Sequence, residues 1–115
     1  MKIITKQITA VNTEVEFKVG SNSQDNFDII DAANPEDVWF HINARPSEHV
    51  IASIPDGLNK KQLNKIIVQG AVICKQYSKY SSEKDVEIIY TKVKNIKKTD
   101  IIGCVETTSV KTIKI

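Results

Sequence analysis

Between Asn59 and Tyr80 the apolar residues Leu63, Ile66, Ile67, Gly70, Ile73, Cys74 and Tyr77 recur every three or four positions. That spacing places them on one face of a helix over about residues 60–80. Lys60, Lys61, Lys65, Lys75 and Lys79 lie mostly off the stripe. Asn59, with Gln62 three residues on, has the form of a capping box and sets the start. Such a helix must lay its stripe on something, and most of what surrounds it reads as strand. "MKIITKQITA" and "TEVEFKVG" are two strands, with Val15, Phe17 and Val19 alternating against Glu14, Glu16 and Lys18. "DVEIIYTKV", "IIGCVETT" and "VKTIKI" are three more candidates. "SNSQDNFDIIDAA" reads as a short helix, capped by Ser21, Asn22 or Ser23, with Phe27, Ile30 and Ala33 inward. Asn34-Pro35 stops it. The expectation is an α+β fold, a mostly antiparallel sheet covered by one long and one short helix, forming a single domain over residues 1–115. Gly70 costs up to about 1 kcal/mol against Ala inside a helix, so its place on the stripe predicts a strand in close approach.

Between these elements lies "DVWFHINARPSEHV", residues 37–50, which holds the only Trp, the only Arg and both His. Pairing it as a hairpin about Arg45 sets Trp39 opposite Ile51, His41 opposite His49 and Asp37 opposite Ser53. On the other face Phe40 meets Val50 and Val38 meets Ala52. This register collects the apolar residues on one face, and a one-residue slip would scramble it. The mixed face then carries an indole, two imidazoles and a carboxylate, with Arg45 and Ser47 at the tip. Flat rings offer stacking surfaces to bases, and Arg forks onto phosphate. Imidazole bonds a phosphate or a 2′-hydroxyl. The bland alternative is that Trp39 fills a gap in the core. A metal site would need a third ligand beside His41 and His49, and only Asp37 is near, so no metal is expected. No cofactor motif and no nucleophile with a base is present, which argues against an enzyme.

Charge is uneven. Residues 1–56 hold four cations and nine acids, a net of −5, whereas residues 57–115 hold twelve Lys and five acids, a net of +7. Within the basic half, "YTKVKNIKK" gathers Lys92, Lys94, Lys97 and Lys98 with no acid, the last two in a turn. Lysine patches of this kind grip phosphate without reading sequence, or guard an edge strand. Cys74 and Cys104 both sit among apolar residues and read as buried thiols. No apolar run is long enough to span a bilayer and no signal peptide is visible, so a cytoplasmic protein without membrane contact is expected.

"VGSNSQDN", "DVWFH", "RPSEHV", "YSKY" and "VEIIYTKVKNIKK" stand in the order in which they occur in the NFACT-R domain, the NFACT RNA-binding domain, and span nearly the whole chain. The chain resembles a stand-alone copy of it. Larger family members, among them bacterial fibronectin-binding-like proteins and eukaryotic ribosome quality-control factors, act on stalled large ribosomal subunits with tRNA. The resemblance therefore implies a non-catalytic RNA-binding module with rRNA or tRNA, and the large ribosomal subunit, as partners. It matches the family's glycine and asparagines to Gly20, Asn22 and Asn26. Its Asp-x-Trp-aromatic-His run falls on Asp37, Trp39, Phe40 and His41, its Pro and His-Val on Pro46, His49 and Val50, and its basic run on Lys97 and Lys98. Ser47 and Glu48 stand where the family often has Gly and Ser, which sets a carboxylate beside the expected RNA face, and Ser21 replaces a common basic residue. Two other readings stay open, an RNA-modification component and an interaction module docking an acidic protein. DNA is a further alternative, because lysines do not tell the sugars apart.

Overall fold

A computed structural model describes residues 1–115. Eight strands and two helices follow in the order β1 (Lys2–Ile8), β2 (Thr13–Val19), α1 (Ser23–Asp31), β3 (Val38–Ile42), β4 (Val50–Ala52), α2 (Lys60–Gln76), β5 (Glu87–Lys92), β6 (Ile96–Lys98), β7 (Val105–Thr107) and β8 (Lys111–Lys114). Six strands form one sheet in the order β1-β2-β4-β3-β5-β8, and β6 and β7 form a separate ribbon. Every pairing is antiparallel. The α+β expectation holds.

The hairpin has the expected register, with Val38 opposite Ala52, Trp39 opposite Ile51 and Phe40 opposite Val50. Side chains of a strand alternate between faces, so these pairs divide between two cores. On one face Phe17, Val38, Phe40, Ile42, Val50 and Ile88 pack against Ile66, Ile67, Ala71, Ile73 and Cys74 of α2. Gly70 is where the two layers come closest, since a Cβ there would lie 2.2 Å from Cζ of Phe40. Asn59 and Gln62 form the capping box reciprocally. The helix ends at Gln76 rather than near Tyr80. Ser78 Oγ donates to the Lys75 carbonyl at 2.7 Å and accepts from the Tyr80 N–H, which offers the backbone another partner than the next helical turn.

The opposite face carries a second core of Ile29, Ile30, Trp39, Ile51 and Val93, with Ala33, Ile89, Ile96 and Val105 packed at its margin. The two helices thus lie on opposite faces of the sheet, and the ribbon β6–β7 shares the second face with α1. Asn22 caps α1 by accepting from the Asp25 N–H at 2.9 Å. Its inward residues are Asn26, Ile29 and Ile30, and Phe27 is only half-buried. Two expectations about the tail change. "IIGCVETT" contributes only Val105–Thr107, and to the ribbon, because a 3₁₀ turn at Val93–Asn95 breaks the run from β5 and starts β6. Lys97 and Lys98 are therefore on a strand. Cys74 is buried but Cys104 is exposed, since it follows the turn that joins the ribbon's strands.

Candidate nucleic-acid interface

The site is organised around His49. Its backbone is held by two neighbours, the Gly20 N–H donating to its carbonyl at 2.9 Å and its own N–H donating to Asn26 Oδ1 at 3.2 Å. Asn26 reaches it because Gly20 has no side chain, and a Cβ there would lie 2.0 Å from Asn26 Oδ1. The end of β2, the first turns of α1 and the start of β4 are thereby fixed to one another. The indole N–H of Trp39 donates to His49 Nδ1 at 3.1 Å. An indole nitrogen only donates, so Nδ1 of His49 carries no proton and Nε2 does. His41 stacks on Trp39 with ring centroids 5.6 Å apart and planes within 10°, and stands edge-on to His49 at 5.1 Å. Its Nδ1 lies 2.6 Å from the Ile42 carbonyl, an acceptor only, so that nitrogen is the donor.

Both imidazoles are held neutral. Burial drives the His49 pKa down to about 3, with the neighbouring His41 adding to it. Burial also lowers His41, opposed by the bond to Ile42. Neither Nε2 has a partner in the protein, and neither is sealed from solvent. They face an open cleft of about 540 Å³. Trp39 and His49 are at its floor, the loop Ala44–Ser47 is one wall, and Ile102–Val105 with Thr107 is the other. Gly103 is required in that second wall, having φ +84°, and a Cβ there would lie 2.8 Å from Cβ of Ser23 at the start of α1. Ser47 closes the first wall, its Oγ accepting from the Ile42 N–H at 3.1 Å.

The sequence-predicted residues divide into three groups. Trp39, His41, Arg45, Ser47, His49 and Asn26 line the cleft. Trp39, however, is 2% exposed and is part of the second core, so it offers no stacking platform. Sequence reading took the mixed face for surface because the residues that cover it lie far away in the chain. Asn22 is occupied with its helix cap. Lys92 and Lys94 do converge, both on Glu36, at 2.7 and 3.0 Å, and hold its carboxyl below the usual range. They stand at the Val38 end of β3, away from the cleft. Lys98 pairs with Asp31 and lies over the Phe27 ring, and Lys97 faces Glu106 across the ribbon. Arg45 is bound to Glu83 at 3.0 Å with its guanidinium 4.3 Å above the Tyr80 ring. Asp37 is not available to a metal. It accepts from the Asn34 and Ile54 N–H groups, both at 2.9 Å, and ties the entry of β3 to the exit of β4.

Reasoning from sequence missed the ribbon wall, Ile102 to Val105, and the partners of Arg45. Gly103 in "IIGC" was the one signal for the wall, and the Tyr80 of "YSKY" was the signal for Arg45.

One face of the sheet is thus packed by a helix, and the other opens as a cleft lined by aromatic, apolar and polar side chains with Arg45 its one charged residue. The NFACT protein RNA binding domain family matches residues 9–109, and the chain belongs to it. That family is described as RNA-binding. Among curated proteins, coiled-coil domain-containing protein 25 of Danio rerio is 31% identical over 86 residues, 70% of this chain and 40% of that protein. The homolog in Dictyostelium discoideum is 35% identical over 94 residues, 77% of this chain and 44% of that protein. The chain spans less than half the length of either relative. Among solved structures, the C-terminal part of the fibronectin/fibrinogen-binding protein of Streptococcus suis shares the fold, with a TM-score of 0.77 at 20% identity over 88% of this chain and 41% of that one. No helix is long and apolar enough to cross a membrane.

Proposed function

We propose that this chain is a non-catalytic module that binds rRNA or tRNA in the cytoplasm, on or near the large ribosomal subunit, in ribosome quality control or RNA processing. The observation that carries it is that the family match encloses both the cleft and the lysines. Its chemistry suits binding better than turnover. The cleft is lined by no carboxylate and no lysine, and an imidazole whose pKa is about 3 is not an imidazolium at neutral pH and so cannot serve as a general acid. The lysines supply the phosphate contacts, and each one engaged steepens the fall of log K with log salt by roughly 0.7–0.9.

The test is titration of purified tRNA and of rRNA fragments at two salt concentrations. Affinity should fall with salt, and Lys97→Ala with Lys98→Ala should flatten that dependence. Affinity indifferent to salt and to those two lysines would remove the reading. So would association with ribosomal subunits that persists after the RNA is digested, which would favour an acidic protein partner.

A further inference from the structure

The cleft and the lysines differ in what they can hold. A phosphate brings at least one full negative charge, and the cleft has no free cation to meet it. The only formally charged residue in its lining is Arg45, which is already bound to Glu83 on its outer side. The hydrogen bonds inside also fix which atoms face the opening. Nδ1 of His49 is taken by the Trp39 indole, so its Nε2 presents an N–H. Nδ1 of His41 is given to the Ile42 carbonyl, so in the neutral ring Nε2 presents a lone pair. One donor and one acceptor stand side by side on rings 5.1 Å apart. Around them the lining includes the apolar side chains of Pro46 from one loop and of Ile102 and Val105 from the other.

We infer that the cleft takes a single unpaired nucleobase, its edge on the two Nε2 atoms and its faces between Pro46 and the Ile102–Val105 wall, while the phosphates of the same strand stay outside on the lysines. A base edge carries adjacent donors and acceptors, and unstacked bases are what proteins read in single-stranded loops. A ribose 2′-hydroxyl also donates and accepts, but it leaves the apolar walls unfilled in a cleft of about 540 Å³. This inference rests on the RNA-binding reading and narrows it to unpaired positions.

Cys104 supplies the assay. It is exposed in the cleft wall, whereas Cys74 is buried with its thiol pushed up to about 12 and does not compete for alkylation. The rate of Cys104 alkylation is measured with a single-stranded RNA, with the same strand made abasic, with free nucleosides and with inorganic phosphate. The base-bearing strand should slow alkylation and bind at least about tenfold more tightly than the abasic one, and nucleosides should protect where phosphate does not. Thr107→Trp, which fills the cleft from a half-buried position on the ribbon, should abolish that difference. Equal protection by the abasic strand would assign the cleft to sugar or phosphate and overturn the inference, as would protection by inorganic phosphate. RNA that binds without protecting Cys104 would overturn it while leaving the RNA-binding reading in place. If no RNA binds, that reading falls, and the nucleoside arm decides the cleft separately, protection sustaining the inference and its absence ending it.

Discussion

The two faces of the central sheet are built from alternate residues of the same strands and have opposite characters. On the α2 side, Phe40 meets Gly70 in a contact with no room for a methyl group. On the α1 side, Trp39, one residue earlier, lies in a core of similar dryness that ends in imidazoles and then in an open cleft. One face is packed by a single long helix, and the other is covered in pieces. The difference lies in the cover. An amphipathic helix of 17 residues lies across the central strands of its face, whereas a nine-residue helix and a short ribbon share the other and leave a gap between them.

The largest effects test whether both faces are cores. Phe40→Ala and Trp39→Ala should each cost about 3–5 kcal/mol in urea unfolding. A loss near 1 kcal/mol at Trp39 would return that residue to the surface and break the comparison. Gly70→Ala should cost about 1–3 kcal/mol, because the clash with a fully buried ring outweighs the gain in helix propensity. A stabilised Gly70→Ala variant would show that the close contact between helix and sheet is looser than described.

Protons separate the faces further. His49 is at about 3 folded and near 6.5 unfolded, so between those values the unfolded chain holds the extra proton. Its contribution is complete above about pH 6.5 and drains away as pH falls, by up to about 1.4 kcal/mol per pH unit. His41 acts in the same direction. Cys74 on the α2 face is near 9 unfolded and about 12 folded. There the unfolded thiol ionises first, and stability declines as pH rises above about 9. Urea midpoints across pH should therefore fall at both ends, with Cys74→Ala removing only the alkaline limb. A flat profile from pH 6.5 to 4.5 would contradict neutral imidazoles. The smallest effect is expected at the rim, where Glu83→Gln should change stability by no more than about 0.2–1 kcal/mol, since both partners are exposed.

The α2 face was legible in the sequence because its signal is periodic and local. Seven stripe residues, one of them a glycine, and a capping pair define the helix, and the hairpin register followed from segregating Val38 and Phe40 with Val50 and Ala52. The other face was not legible, for two physical reasons. The stripe of α1 runs through Asn26, Ile29, Ile30 and Ala33, and its first member is polar, so hydrophobicity favoured Phe27 instead. Asn26 is buried for its hydrogen bond to His49, a contact that spans 23 residues of sequence. The ribbon that hides Trp39 pairs two three-residue strands, too short for any pattern to show. Charge alone did point to the lysines, but not to the acids, Glu36 and Asp31, that come from the other half of the chain to meet them.

Trp39 is the only tryptophan in the chain, and it lies under His41 and against His49. The whole indole emission of this protein therefore originates at the floor of one cleft. Fluorescence becomes a single-site optical gauge, free of background from other indoles, that records what enters the cleft and when either imidazole takes up a proton.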